Sequence, residues 1–251
     1  MEKKDPDNEK TENKEPEANK NNITLFNSVK ENWLSWIFFL ASVYLISPQN
    51  LLFGYVTLFS QMFFYYAVHM YLHYRDNITT ILHKYHQYNE NSFSYYSGII
   101  FELNYSIIHY IYYHLTGYLY ADIWVVMFFA LFYSSLHNIN YGIFRVNKVH
   151  YLHHQMGNTN VGIDVFDVMF GSKHPDETVV ENTDHYIPII IAAAAITLIT
   201  KYFYETNETV KYWLLTFVPL FFMFTLTFVV VSSVYLYFFN NLPNSVCKGS
   251  G

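Results

Sequence analysis

The chain contains 251 residues, of which 52% are hydrophobic, 21% aromatic and only 14% charged. An ordinary soluble domain has roughly 25% charged residues, so this composition argues against a cytosolic globular protein. The formal net charge of −6 leaves no basic surface for phosphate backbones, which argues against nucleic-acid binding. The single cysteine, Cys247, excludes an internal disulfide and a thiolate cluster, so metal ligands would be nitrogen or oxygen atoms.

The first 22 residues form a polar segment with no large apolar residue after Met1. Lysines, acidic residues and two prolines dominate it. Such a segment cannot bury enough apolar surface to offset the entropy of ordering. We therefore predict a disordered tail over 1–22.

Six hydrophobic segments follow in chain order, and they are candidates for membrane-spanning helices. Their bounds are Trp33–Ile46, Leu51–Val68, Tyr95–Leu119, Ile123–Leu136, Ile187–Thr200 and Tyr212–Phe239. A helix needs about 20 residues, or about 17 at the short end, to cross the hydrocarbon core. The first and fifth segments are marginal on this measure. The sequence therefore predicts an all-α integral membrane protein with four to six transmembrane helices.

The basic residues that follow the tail favour one orientation of these helices. Most fall on stretches that share one side if each segment crosses in turn: Lys30, Arg75, Lys84, Arg145, Lys148 and Lys173. By the positive-inside rule, that side is the cytosol.

The most informative feature is the placement of the 12 histidines. Eight of them cluster at the predicted cytosolic ends of the spans: His69 and His73, His83 and His86, the lone His137, and His150, His153 and His154. Residues three or four apart share one face of a helix, so the paired rings can bind a common ion. Eight imidazoles exceed what a single ion accepts, and two ions are the simplest count.

The ligand type narrows the choice of metal. Imidazole suits iron, copper, zinc and nickel. A structural zinc site closes with four ligands, and the zinc-protease signature H-E-x-x-H is absent because Met70 and Tyr151 follow the first histidine of their boxes. A pair of irons fits better, since redox metals can activate dioxygen. A metal transporter is a further alternative, but it predicts ligands at mid-membrane depth rather than at span ends.

The order H-x-x-x-H, H-x-x-H, a lone histidine and H-x-x-H-H resembles the fatty acid hydroxylase superfamily. This family includes sterol desaturases, sterol methyl oxidases, cholesterol 25-hydroxylase and alkylglycerol monooxygenase. Three short motifs after the last box are similar to the family's Asn-Tyr-Gly, Trp-Asp and Phe-Gly-Thr: Asn160-Val161-Gly162, Phe166-Asp167 and Phe170-Gly171-Ser172. The resemblance covers Leu51 to Ser172, about half of the chain.

The resemblance implies a membrane diiron oxidoreductase of lipid biosynthesis. Such an enzyme uses dioxygen to hydroxylate a fatty acyl, ether-lipid or sterol substrate, with desaturation as the second possibility. It implies two iron ions in a cytosolic histidine-rich cap and electrons from an electron-transfer partner, cytochrome b5 with an NAD(P)H reductase. The location implied is an endoplasmic-reticulum-like membrane. The diiron membrane domain would comprise 23–172, followed by C-terminal membrane segments and a short tail at 173–251.

The resemblance also implies which residues bind the metal, and it implies no catalytic residue apart from these ligands. The implied metal ligands are His69, His73, His83, His86, His137, His150, His153 and His154. Buried ionisable groups on the third segment invite a functional interpretation, and for Glu102 we predict the orientation of a ligand histidine.

One position departs from the family's pattern. Gln87 stands where the second box normally ends in another histidine, and an amide oxygen is a poorer donor than imidazole. Gln87 is therefore a further candidate ligand, and so are His109 and His114 on the third segment, although a spacing of five places these two on different helix faces. The departure leaves an alternative open, which is a catalytically impaired relative that acts as a lipid-binding or scaffold membrane protein.

Overall fold

The computed structural model describes residues 23–75, 77–89, 91–174 and 180–239. The predicted disordered tail at 1–22 and the segment 240–251 lie outside the described residues. The side chains of some helical residues also lie outside the description: Tyr88, Tyr105, Ser106, Tyr110, His114, His150 and Gln155.

The described part of the chain is helical and contains no strand. The α-helices are α1 (Leu25–Glu31), α2 (Trp33–Ile46), α3 (Leu51–Tyr74), α4 (Ile81–Tyr88), α5 (Ser92–Thr116), α6 (Ile123–Ser135), α7 (Val149–Met156), α8 (Asp164–Phe170), α9 (Ile187–Thr206) and α10 (Glu208–Phe239). A π-helical segment, Leu136–Ile143, continues α6, and a 3₁₀ turn, Asp184–Tyr186, precedes α9.

Four helical segments are long and apolar enough to cross a membrane: Leu51–Tyr74, Ile123–Ile143, Asp184–Thr206 and Glu208–Phe239. The fifth predicted segment, marginal by sequence, is among them because its helix continues to Thr206. Helix α2 is shorter, with 14 residues. Helix α5 has 25 residues but a more polar composition. The prediction of an all-α protein with at least four helices of membrane-spanning type is thus confirmed.

Helix α6 forms the centre of the bundle. Its Val125, Phe128, Phe129 and Phe132 are fully buried, as expected for a helix that is hydrophobic on every face. Phe132 packs edge-on against Phe39 of α2, with ring centroids 4.7 Å apart. This packing fixes the rotation of α6 and therefore of the π-helical segment that carries His137.

The end of the bundle opposite the histidines is closed by polar contacts between turns. Asp122 caps α6 by accepting hydrogen bonds from the backbone N–H groups of Trp124 and Val125 at 3.0 and 3.2 Å. Ser47, after α2, donates a hydrogen bond to the other carboxylate oxygen of Asp122 at 2.5 Å. The two turns are therefore joined, and α3 and α6 both begin near this end and run in the same direction toward the histidines.

Candidate metal centre

The described histidines of the four boxes converge at one end of the bundle. Helix α3 supplies two of them near its C-terminus, α4 supplies two, the π-helical segment supplies one and α7 supplies two. They fall into two groups, and within each group the ligand nitrogens lie within 4.8 Å of one another. The first group is His69, His73, His83 and His153, and the second group is His86, His137 and His154.

The two groups are neighbours in space. The rings of His69 and His137, one from each group, have centroids 6.2 Å apart. The adjacent His153 and His154 also belong to different groups, with centroids 5.8 Å apart. The structure thus brings together seven of the eight histidines singled out by sequence, and the side chain of His150 lies outside the description.

The spacing within the first group suits a single ion. Two nitrogens bound tetrahedrally to one ion at about 2.1 Å lie roughly 3.4 Å apart. The Nε2 atoms of His73 and His83 are 3.3 Å apart, which matches this separation. His69, His73 and His153 are buried, so an ion there would be shielded from bulk water.

His69 supplies a second indication that the first group can hold an ion. Its Nδ1 is 3.2 Å from the Tyr133 hydroxyl. Its Nε2 is buried and has no hydrogen-bond partner among the described residues. A buried polar atom without a partner is rare in a folded protein. An ion bound by the first group would give this nitrogen a partner.

Hydrogen bonds on the far side of two rings set their tautomers. His86 Nδ1 lies 3.1 Å from the Ser94 carbonyl oxygen, and His153 Nδ1 lies 2.7 Å from the Thr159 carbonyl oxygen. A carbonyl only accepts, so in each pair the N–H must be on Nδ1. Each Nε2 then keeps its lone pair, which is the form of imidazole that binds a metal.

Glu102 holds the ring of His137 in the second group. His137 Nδ1 donates a hydrogen bond to one carboxylate oxygen of Glu102. The other carboxylate oxygen accepts a hydrogen bond from the Asn138 amide at 2.8 Å. The contact is the one expected of a carboxylate that orients a ligand histidine.

Four histidines of α4 and α7 have lowered pKa values, which favours their neutral form. Burial, reinforced by the neighbouring imidazoles, lowers the pKa of His83 and His153 well below the usual value. Burial also lowers the pKa of His86 and lowers the pKa of His154 to about 4. Neutral rings keep a lone pair available for a metal without first losing a proton.

Gln87 lies inside the first group rather than beside it. Its amide nitrogen is 3.1 Å from the Nε2 atoms of both His73 and His153, and its side chain is buried. Rotation of the amide by half a turn would direct its oxygen to the same place. The position that departs from the histidine pattern therefore contacts the ligand nitrogens directly.

His109, a further candidate ligand by sequence, lies away from both groups. It lies seven residues beyond Glu102 on α5, about 10 Å along the helix axis. Its Nδ1 is hydrogen-bonded to the Tyr120 hydroxyl. Its ring packs edge-on against Phe64, with ring centroids 5.9 Å apart. The side chain of His114, the other candidate on this segment, lies outside the described residues.

The three short motifs after the last histidine box form one hydrogen-bonded unit. Asp167 accepts hydrogen bonds from the backbone N–H groups of Val161 and Gly162 at 2.9 and 3.1 Å. It also accepts one from the Ser172 hydroxyl at 2.6 Å. Ser172 in turn lies 2.9 Å from the Tyr66 hydroxyl. Because Tyr66 precedes His69 by one turn of α3, this unit fastens the α7–α8 loop to the helix that carries the first box.

Gly162 permits the close approach of this loop to α3. A Cβ atom at this position would lie 2.8 Å from Cδ2 of Tyr66, which is closer than carbon atoms approach one another. The backbone of the loop can therefore pack on the Tyr66 ring only where residue 162 has no side chain.

Small cavities border both groups. One, of about 40 Å³, contacts His69 and His83 and is otherwise lined mostly by apolar side chains, including Val68, Leu72 and Phe101. A second, of about 20 Å³, contacts His69, His137 and His153. Roughly 10–15 Å³ is enough for one water molecule. Each cavity therefore has room for a small molecule beside the imidazoles.

The sequence did not single out the groups that hold these rings from behind. Tyr133, Ser94 and Thr159 contact His69, His86 and His153. Only Tyr133 had a local signal, because it precedes His137 by four residues and therefore shares its helix face. The other two act through backbone carbonyls, which every residue has.

These features define a helical protein of membrane-spanning type with a buried histidine cluster that could hold metal. Comparison of the chain with protein-family models, with curated proteins and with solved structures finds no match. Its function is therefore argued from the site itself.

Proposed function

We propose that the chain is a membrane-bound diiron oxidoreductase that uses dioxygen to hydroxylate a lipid, similar to the fatty acid hydroxylase superfamily. One observation carries the proposal: two adjacent groups of imidazoles lie at one end of a bundle of membrane-spanning type. Two separate groups favour two ions, and nitrogen ligands with a nearby carboxylate suit iron.

The ligand sets follow from the groups. His69, His73, His83 and His153 would hold one ion, and His86, His137 and His154 would hold the other. His150 stays a proposed ligand on the sequence pattern alone. When bound, the iron pair supplies the activation of dioxygen, with electrons from cytochrome b5 and an NAD(P)H reductase.

The residues around the groups position the rings and exclude water. Glu102 and the Thr159 carbonyl fix the orientations of His137 and His153. Val68, Leu72 and Phe101 line the cavity beside His69 and His83, and their apolar side chains favour an aliphatic chain over water. Because this cavity lies between α3 and α5, a lipid chain could approach it from the bilayer. The reacting carbon would be held there, close to the imidazoles.

The proposal is tested by metal content and lipid products together. The purified protein should contain two irons per chain, and cells that express it should accumulate a hydroxylated lipid. His153→Ala should lose both, because it removes a buried donor of the first group. If the wild-type protein binds no iron, or if His153→Ala keeps iron and product, the proposal is wrong. We also propose an endoplasmic-reticulum-like membrane with the centre facing the cytosol, which protease accessibility in sealed vesicles would test.

A second function is favoured by one specific observation. Gln87 occupies a position between His73 and His153 where an amide is a weaker donor than imidazole. A first group weakened in this way suits a catalytically impaired relative that acts as a lipid-binding or scaffold protein. That function predicts no metal or a single zinc in the purified protein, and no change of lipid products on expression.

A further inference from the structure

A large apolar cavity lies outside the histidine centre. It has a volume of about 650 Å³ and is bordered by residues of α5, α6, α9 and α10. Its walls are mainly aliphatic and aromatic side chains, among them Leu103, Ile107, Met127, Leu131, Phe217 and Phe221. Ligand cavities in proteins typically measure about 300–1,000 Å³, so this volume suits a molecule far larger than water or dioxygen.

The depth of the cavity corresponds to one leaflet of a bilayer. Its wall on α5 runs from Leu103 to Tyr113, which spans about 15 Å at the helical rise of 1.5 Å per residue. The hydrocarbon core of a bilayer is about 30 Å thick. The cavity therefore has the length of the acyl chains of a single leaflet.

A polar bridge lies just beyond the end of the cavity that is nearer the histidines. The Thr225 hydroxyl of α10 donates a hydrogen bond to the Asn104 side chain of α5 at 2.6 Å, and both residues are buried. Thr225 lies one turn beyond Phe221 of the wall, and Asn104 directly follows Leu103. No described histidine lines the cavity, which is therefore separate from the candidate metal centre.

The opposite end of the cavity is polar and lies near the far surface of the bundle. Asp122, Thr200 and Tyr204 line it there. The Asp122 carboxylate already caps α6, and the Thr200 hydroxyl donates to the Ile196 carbonyl at 2.8 Å. The Tyr204 ring packs edge-on against Trp124, with ring centroids 5.4 Å apart. Tyr204 lies two residues before the end of α9, so its phenol is near the far end of the bundle.

We propose that this cavity binds one acyl chain of a membrane lipid from the leaflet opposite the histidine groups. The chain end points toward the Asn104–Thr225 bridge and the ester group lies near Tyr204. Water would find few hydrogen-bond partners on these walls. An aliphatic chain gains dispersion contacts along the whole length of the cavity. The proposal does not depend on the metal centre.

The test fills the cavity and measures bound lipid. Ala130 is buried on the cavity wall, so Ala130→Phe places a ring in the space of the chain. Ala195 is exposed on α9 and does not line the cavity, so Ala195→Phe is the matched control. After detergent exchange, native mass spectrometry should show one acyl lipid on the wild-type protein and on Ala195→Phe, and loss of that lipid from Ala130→Phe. Retention by Ala130→Phe, or a wild-type protein that keeps no lipid or only a sterol, overturns the proposal.

A second measurement uses only the wild-type protein, so it tests the proposal even if Ala130→Phe does not fold. The wild-type protein is reconstituted with a phospholipid that carries a diazirine on its acyl chain, and adducts are mapped after illumination. Adducts at Met127 and Leu131 inside the cavity are expected. Adducts confined to outward residues such as Val230 and Val231, which are exposed on α10, overturn the proposal. Iron content, measured on the same samples, separates this outcome from a failure of the proposed oxidoreductase function.

Discussion

Glu102 and His137 lie 35 residues apart in the chain, yet the His137 ring donates a hydrogen bond to the Glu102 carboxylate. The pair joins α5 to the π-helical segment that continues α6. Such π-helical turns are frequent at functional sites. The carboxylate is therefore placed to fix one ring of the second histidine group from behind.

Replacement of Glu102 should weaken metal binding without removing a ligand. Glu102→Ala removes the carboxylate that accepts the hydrogen bond from the His137 ring, and loss of such a partner typically costs about 10–100-fold in metal affinity. Competition with a graded chelator, followed by elemental analysis, measures this change. Glu205→Gln is the control, because Glu205 is exposed near the other end of the bundle. Equal chelator resistance in Glu102→Ala and the wild-type protein would contradict the orienting role.

Gln87→His should strengthen metal retention by the first group. The new imidazole replaces an amide whose nitrogen lies 3.1 Å from the Nε2 atoms of His73 and His153. Imidazole is a better donor for iron than an amide. The variant should keep iron at chelator concentrations that strip the wild-type protein. Gln87→Leu, which removes the polar group, is the companion variant. A rise in hydroxylated lipid with Gln87→His would show that the natural centre is impaired, whereas unchanged retention would place residue 87 outside the coordination sphere.

Gly162→Ala should destabilise the protein. The new Cβ would lie 2.8 Å from Tyr66 Cδ2, and forcing extra volume into a packed contact costs about 1–3 kcal/mol. The melting temperature in detergent should fall. Gly142→Ala is the control, since its Cβ would meet the nearest atom, the His137 carbonyl oxygen, at an ordinary 3.5 Å. An equal melting temperature for both variants would mean that the loop moves away from Tyr66 without cost.

The contribution of Glu181 to the stability of the fold should fall as the pH rises toward 8. Burial raises the pKa of this carboxyl from 4.5 to about 8. The folded protein therefore keeps a proton between these values that the unfolded chain releases. The stabilisation is fully present below about 4.5 and is lost as the pH passes through about 8.

Glu181→Gln is the variant that isolates this contribution. The amide can still accept the hydrogen bonds from Tyr141 at 3.0 Å and Asn147 at 2.7 Å, but it cannot ionise. The stability of the variant relative to the wild-type protein should therefore increase as the pH rises from 5 to 8, roughly in proportion to the lost proton linkage, and the melting temperatures of the two proteins measure this difference. Parallel pH profiles for the two proteins would show that Glu181 is ionised in the folded state.

Removal of metal should lower the thermal stability of the wild-type protein. An ion that binds only the folded state stabilises it by mass action, so chelation should reduce the melting temperature and added ferrous iron should restore it. The melting temperature of His153→Ala should change much less on chelation, because this variant lacks a donor of the first group. Equal changes of melting temperature in the two proteins would mean that the stabilising ion binds outside the first group.

Helix positions and the clustering of histidines could be predicted from the sequence because both depend on local spacing. A long apolar run forms a helix wherever it lies, and the pair His69 and His73 shares one face by helical periodicity alone. The division of the histidines between groups could not be predicted in this way. His83 and His86 are three residues apart on α4, yet they belong to different groups. The His83 ring meets the rings of His69 and His73, whereas the His86 ring meets those of His137 and His154.

The sequence by itself determined that this is a helical protein of membrane-spanning type, rich in imidazole at the ends of its spans. Only the tertiary structure decided that Gln87 contacts the first group, that Glu102 holds His137, that His109 turns to Tyr120 and that a lipid-sized cavity lies among the last helices. These relationships join residues far apart in the chain, and they depend on the rotation and separation of packed helices, which local spacing does not specify.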